Sequence, residues 1–194
     1  KEIEGLAFKN CDSLKNIDIP ESVTLISNNA FEGCNSLSSI IIPKSVSDID
    51  DNPFYKCDNL ISIEVDKSNN CYTSIDGNLY SKDKTELISY AIGKTNTSFT
   101  VPNTVTHILW EAFEGSKNLT CIYIPISIKY IAKGAIYGCT SLKDIYYEGT
   151  KSQWEKLDIN LDENITIHYG KKDNTSSDKP TQKAKFTLGK NNNS

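Results

Sequence analysis

A repeat of 23 residues constrains the fold of this 194-residue chain more than any other feature. The pattern Ala-Phe, Cys, Leu, Ile-x-Ile-Pro, Ser-Val and Ile runs from Ala7 to Ile26 and recurs with the same spacing from Ala30 to Ile49. Further copies begin at Pro53, Ala112 and Ala135. A unit this short cannot enclose a core alone, but stacked copies cover one another. The period therefore predicts a β-rich solenoid with coils of about 23 residues.

Each unit holds two extended pieces. The string Leu-x-x-Ile-x-Ile alternates with a period of two, so Ile17 and Ile19 face one side of a strand and Asp18 faces the other. Proline ends this strand because it lacks a backbone donor, and Val-x-x-Ile then predicts a second short extended piece. We expect the first strands to form one continuous parallel ladder, near residues 17–19, 40–42, 63–65, 99–101, 122–124 and 145–147.

One coil is longer than the others. Val65 and Val101 are 36 residues apart, and the extra residues fall around Cys71 to Gly93. A turn signal at Asp76-Gly77 and a polar segment at 82–85 predict a β-hairpin that projects from the solenoid, within an enlarged coil at about 66–98. Such an insertion is either a structural spacer or a binding loop.

The C-terminal part departs from the repeat. Trp154 and Leu157 predict one or two helical turns, and Ile165 to Tyr169 predict a closing strand. We therefore expect a solenoid at 1–149 and a cap at 150–170, since terminal repeats need a different outer face. Residues 171–194 are rich in Lys, Asn, Ser and Thr, which predicts a flexible linker or tail.

Composition and charge exclude several classes of function. All 21 basic residues are lysine, and residues 1–170 hold 15 Lys against 23 Asp plus Glu, a net charge of −8. Nucleic-acid binding is disfavoured because it relies on arginine and on positive charge. No apolar run of 18 residues exists, so we expect no membrane insertion in this chain.

The six cysteines do not indicate a catalytic or metal site. Four of them occupy the same position in the repeat, and that position is Ser116 in another copy. This favours a column of buried thiols, with a disulfide or a metal site as the alternatives. There is no Cys-x-x-Cys pair, and neither His107 nor His168 lies in a triad signature. We expect no enzyme activity and no cofactor. The acidic cluster at 48–51 leaves calcium as an alternative to a solvated turn.

The repeated string Ala-Phe-x-x-Cys-x-x-Leu-x-x-Ile-x-Ile-Pro-x-Ser-Val-x-x-Ile resembles the BspA-like, or treponemal type, leucine-rich repeat over about residues 1–150. The ending with Gln153-Trp154 and Ile167-His168-Tyr169 resembles the segment that closes bacterial members. The resemblance implies a right-handed superhelix and a cell-surface or secreted location. It also implies a role in adhesion to host proteins or cells, and no shared catalytic residues.

The outward positions of the predicted ladder are the candidate ligand-binding surface, because tyrosine is favoured at protein interfaces. They include Asp18, Ile41, Glu64, Tyr123 and Tyr146. We expect a monomeric, non-enzymatic adhesion module that engages a host or extracellular protein, or a glycan, through this face. The alternatives are a structural spacer that presents another domain from the cell wall, and an ancillary domain of a larger secreted enzyme.

Overall fold

The computed structural model describes residues 1–159, 161 and 164–170. This part of the chain forms short strands and one short helix, namely β1 (Glu2–Ile3), β2 (Leu25–Ile26), β3 (Ser39–Ile42), β4 (Asp48–Ile49), β5 (Ser62–Val65), β6 (Tyr72–Ile75), β7 (Asn78–Ser81), β8 (Glu86–Ser89), β9 (Ser98–Thr100), β10 (His107–Ile108), β11 (Cys121–Ile124), β12 (Tyr130–Ile131), β13 (Asp144–Tyr147), α1 (Lys151–Glu155) and β14 (Thr166–Tyr169).

The strands lie in two sets of parallel ladders, as a solenoid requires. Strands at the predicted first-strand positions form a two-stranded sheet, β3-β5, and, together with β14, a four-stranded sheet in the order β14-β13-β11-β9. The Val-x-x-Ile pieces form the sheet β1-β2-β4 and enter the sheet β12-β10-β8-β7-β6. Ile40 pairs with Ile63, and Ile122 pairs with Ile145, so each coil lies one repeat from the next. The predicted β-solenoid and its second extended piece are confirmed.

Alternation along the first strands places the core. In β3, Ile40 and Ile42 are buried, whereas Ile41 between them is 63% exposed. The Ala-Phe pairs form a second column. The ring of Phe31 stacks between those of Phe8 and Phe54, with centroid distances of 5.2 and 5.7 Å. Neighbouring coils therefore bury the same side chain against its own copy.

The repeated cysteines form the predicted column. Cys34, Cys57 and Cys139 are buried, Cys11 is exposed, and all the cysteines are free thiols. Each buried Sγ donates to the carbonyl oxygen of the phenylalanine 26 residues earlier, at distances of 3.0 to 3.1 Å. The column is thus a set of small side chains that pair with the backbone of the preceding coil.

The enlarged coil holds an antiparallel meander of β6, β7 and β8. The predicted turn at Asp76-Gly77 joins β6 to β7. The prediction that these strands project from the solenoid is wrong, because Leu79 and Tyr80 on β7 are almost fully buried. Leu79 packs in the core of the first coils and Tyr80 in the core of the later ones. The meander is therefore a seam between two parts of the core.

The expectation of one continuous ladder is also wrong. A continuous ladder would pair β5 with β9, but the meander lies on that side of β5 and binds its backbone N–H groups. Ile63 donates to the carbonyl of Gly77, and Val65 donates to Ser74 Oγ. Residues 17–19 form no strand. Ile17 is only half-buried, since no described coil covers it from the other side.

The C-terminal segment has the expected helix and strand. Thr150 and Gln153 form a capping box at the start of α1, and the buried Trp154 packs against Tyr147 with ring centroids 5.2 Å apart. Strand β14 extends the ladder by pairing with β13. The predicted linker at 171–194 lies outside the described residues. Among those described, no helix has the length and apolar character that crossing a bilayer demands.

Candidate functional site

We call the outward side of β3, β5, β9, β11, β13 and β14 the strand face. The face consists of two separate sheets, because the meander lies between β5 and β9. Ile41 lies opposite Glu64 on one sheet, and Tyr123 lies opposite Tyr146 on the other. Asp18 is exposed but lies outside both sheets. The five predicted site residues thus form two pairs and one isolated residue rather than a single strip.

Glu64 is tied into the seam. Its carboxylate accepts hydrogen bonds from Ser62 Oγ at 2.6 Å and from Ser74 Oγ at 3.2 Å. Lys94 also lies at the seam, where its ammonium donates to Asn78 Oδ1 at 2.6 Å and to the backbone carbonyl of Asp76. Burial lowers the pKa of Lys94 to about 8, and the charges of Asp76 and Glu64 partly oppose that shift. The side chains of Glu64 and Lys94 therefore both have hydrogen-bond partners within the seam.

The C-terminal half of the strand face carries a stack of three rings. The ring of Tyr146 lies between those of Tyr123 and His168, with centroid distances of 4.9 and 4.4 Å. The planes are nearly parallel, at 17° and 12°. Each ring comes from the same register position on β11, β13 and β14. We call Tyr123, Tyr146 and His168 the aromatic strip.

His168 was not among the predicted site residues. The signal for it was present, because His168 follows Tyr146 by almost one repeat length and lies in a strand with the same alternation. The closing strand was interpreted as part of a cap rather than as a further rung, and its outward position was therefore not aligned with the tyrosines.

Asp144 fixes the last ring of the strip. The imidazole Nε2 of His168 lies 2.7 Å from Oδ1 of Asp144, so the ring N–H donates to the carboxylate. The two side chains are partly exposed, at 42% and 37%. An exposed pair of this kind contributes at most about 1 kcal/mol, so its main effect is to orient the ring.

The stacking decides which part of each ring a ligand meets. Parallel rings on neighbouring strands cover one another's faces, so the ring edges point outward from the sheet. Tyr123, Tyr146 and His168 are all half-buried. The strip therefore presents half-buried ring edges to a ligand, and both faces of Tyr146 are covered.

The buried thiols have little nucleophilic character. Burial raises the pKa of Cys57 to about 12 and also raises the pKa of Cys34. Since the thiolate is the nucleophile, both side chains are kept in their unreactive form. Among residues 1–159, 161 and 164–170, no group of three or more His, Cys, Asp or Glu side chains is placed to hold a metal ion.

Solved structures of bacterial leucine-rich repeat proteins resemble this chain. A leucine-rich repeat protein of Eubacterium ventriosum is 33% identical, with a TM-score of 0.60, over 70% of this chain and 42% of that one. The pneumococcal vaccine antigen PcpA is 26% identical, with a TM-score of 0.58, over 77% of this chain and 39% of that one. This chain thus spans about two fifths of the length of both.

A third structure supports the fold alone. A leucine-rich cell surface protein of Faecalibacterium prausnitzii is 24% identical, with a TM-score of 0.60, over 82% of this chain and 61% of that one. A comparison with curated protein sequences finds no match.

The family is established by the repeat itself. The model of the BspA type leucine-rich repeat region matches in six copies, over residues 1–97 and 88–157. These matches cover the repeated coils and α1, and they make the chain a repeat module of a protein-binding or structural kind. The chain belongs to the BspA type leucine-rich repeat family.

Proposed function

We propose that this chain is a non-enzymatic adhesion module of a bacterial cell-surface or secreted protein, and that it binds a protein ligand through the aromatic strip. The observation that carries the proposal is the stack of Tyr123, Tyr146 and His168 on three neighbouring strands. Stacking orders these side chains before a ligand arrives, so binding costs little further side-chain entropy. The surface location is supported by membership of the BspA type leucine-rich repeat family.

The ring geometry favours a protein over a glycan as the ligand. A sugar ring packs its C–H groups against an open aromatic face, because the face carries the negative part of the ring quadrupole. In the strip, the faces of Tyr146 are both occupied by its neighbours. Half-buried ring edges instead suit packing against the side chains of a protein surface, and tyrosine is enriched at protein interfaces.

A binding screen with the full chain tests the proposal. The purified chain is measured by surface plasmon resonance against a panel of extracellular matrix proteins, and in parallel against a glycan array. Tyr146→Ala and Tyr123→Ala are compared with Tyr137→Ala, which removes a ring that is 68% exposed and lies outside the strands of the strand face. We expect binding to a protein that both strip variants weaken and Tyr137→Ala preserves.

Other results would favour other functions. Binding to glycans but to no protein would mean that the ligand is a glycan rather than a protein. No binding to either panel at high micromolar concentration would favour a structural spacer that presents another domain from the cell wall. Hydrolysis of a panel member by the purified chain would contradict the non-enzymatic assignment, whereas a catalytic domain next to this chain in the full-length protein would favour an ancillary role in a larger enzyme.

A further inference from the structure

Strand β14 has an outer edge whose backbone groups point away from the sheet. Thr166 donates to the carbonyl of Lys143, and Gly170 donates to that of Tyr147, so alternate residues of this strand face β13. The residues between them, Ile167 and Tyr169, direct their N–H and C=O groups to the other side. Within the described part of the chain, β14 is the end strand of its sheet.

The inward side chains of β11, β13 and β14 form two columns. Their members on β11 and β13 are buried, and the members on β14 are the last of each column. Ile122 and Ile145 are at most 1% exposed, and Ile167 after them is half-buried. Ile124 and Tyr147 are at most 3% exposed, whereas Tyr169 in the same register is 41% exposed. A further strand beside β14 would bury Ile167 and Tyr169 as their counterparts are buried.

The surroundings of this edge have room for side chains. An open cavity of about 430 Å³ is lined by Tyr169 and Gly170, by the exposed Ile126, and by residues at the start of α1. Glu148 and Lys151 at its rim carry opposite charges, so the cavity has no strong preference for a charged occupant. Its exposed Ile126 and Tyr169 favour an apolar side chain.

We propose that β14 is a docking edge for an extended peptide segment of the protein ligand, which adds to the sheet as a parallel strand. This inference rests on the proposed binding function and names the mode of recognition. The peptide has two apolar residues separated by one, which cover Ile167 and Tyr169. The residue between them lies on the outward side, beside the ring of His168.

Backbone geometry identifies a peptide as the occupant. The outward N–H and C=O groups of Ile167 and Tyr169 recur every second residue, and an extended polypeptide offers matching partners at the same spacing. The alternation on β13, where Ile145 and Tyr147 are buried and Tyr146 between them is only partly buried, continues on such a strand. The main chain then supplies affinity and the two apolar side chains supply specificity.

A peptide array on the full chain tests this mode. The probes are acetylated and amidated ten-residue peptides with a central apolar-x-apolar triplet, and the controls have the same composition with the apolar residues adjacent. The decisive variants are Tyr169→Pro and Tyr169→Ala. Both remove the ring, but only proline removes the outward N–H, and proline is tolerated at such edge positions.

We expect alternating peptides to bind the wild-type chain in preference to the controls. Tyr169→Pro should bind the alternating peptides about fivefold more weakly than Tyr169→Ala, since it loses one backbone hydrogen bond that Tyr169→Ala keeps. Thermal unfolding of both variants checks that they fold. Equal affinity for the two variants, or no preference for alternation, would overturn the proposal.

Amide hydrogen exchange gives a second readout that needs no variant. The amides of Ile167 and Tyr169 should exchange fast in the free wild-type chain and slowly with a bound alternating peptide. Slow exchange at both amides in the free chain would show that another part of the chain already occupies the edge, and the proposal would then be wrong. These experiments test the edge of β14, whereas the matrix-protein screen tests the contribution of Tyr123 and Tyr146 on the strand face. The failure of one proposal can therefore be distinguished from the failure of the other.

Discussion

The Sγ atom of Cys57 donates a hydrogen bond to the carbonyl oxygen of Phe31 at 3.0 Å, and the same contact joins Cys34 to Phe8 and Cys139 to Phe113. The contact ties each thiol to the coil before it. This hydrogen bond can form only when neighbouring coils are stacked in register. The reactivity of the thiols therefore indicates whether the coils are stacked in this way.

Thiol alkylation should separate the cysteines by their place in the fold. Burial raises the pKa of Cys57 to about 12, whereas Cys11 and Cys71 are exposed. Brief treatment of the native chain with iodoacetamide at pH 8 should label Cys71 and Cys11 at least about tenfold faster than Cys57. Mass spectrometry of the digested chain measures the ratio. Equal labelling of Cys57 and Cys71 in the folded chain would contradict the column.

Asn69 should be essential for the start of the enlarged coil. It is fully buried, and its amide donates to the carbonyls of Pro43 and Val46 while its Oδ1 accepts from the amides of Cys71 and Tyr72. Asn69→Ala leaves four backbone groups without this partner, so we expect a loss of about 2–4 kcal/mol in the free energy of unfolding.

The neighbouring Asn70→Ala is the matched control. Asn70 is exposed, and its replacement should change the free energy of unfolding by less than about 0.5 kcal/mol. Urea unfolding followed by tryptophan fluorescence compares the two variants. Similar stability for both would show that Asn69 does not hold the seam.

Gly93 should tolerate no side chain. A Cβ there would lie 2.3 Å from the backbone carbon of Asn59 and 2.5 Å from the nitrogen of Leu60, and the backbone of a neighbouring coil cannot yield cheaply. Gly93→Ala should therefore cost about 3 kcal/mol or more. The comparison is Gly138→Ala, where the nearest atoms lie at 3.5 Å and only the positive φ of 69° is unfavourable.

We expect about 1–2 kcal/mol for Gly138→Ala, which is the strain of a left-handed backbone. Thermal unfolding of both variants ranks the two costs. A Gly93→Ala chain as stable as the wild type would mean that the coils at this junction are further apart than described here.

The repeat made most of the architecture predictable, because each coil buries the same positions against its neighbours. The enlarged coil was harder to predict. The ring of Tyr90 packs against that of Phe113, with centroids 5.4 Å apart, and so takes the place of the repeated phenylalanine, while Gly93 takes that of the cysteine. These two replacements make this copy of the repeat hard to recognise in the sequence. Phe99 nevertheless follows Tyr90 at the same spacing as Ile40 follows Phe31.

The division of the strand face was not predictable from the repeat. It depends on which segment pairs with β5, and the periodicity of β5 is the same whether β9 or the meander lies beside it. Among the candidate site residues, the pairing of Tyr123 with Tyr146 followed from their register. The place of His168 in the strip required the pairing of β14 with β13, which the departure from the repeat after residue 149 obscured.

The most direct test of the proposed function measures how the strip contributes to ligand affinity. For any matrix protein that binds in the screen, dissociation constants are measured for the wild type, Tyr146→Ala, His168→Ala and the control Tyr137→Ala. We predict a loss of about tenfold or more for Tyr146→Ala, since interfacial tyrosines often contribute more than 1 kcal/mol. We predict a smaller loss for His168→Ala and none for Tyr137→Ala, with all four chains equally folded. Unchanged affinity for Tyr146→Ala, or an equal loss for Tyr137→Ala, would contradict the assignment of the aromatic strip as the binding surface.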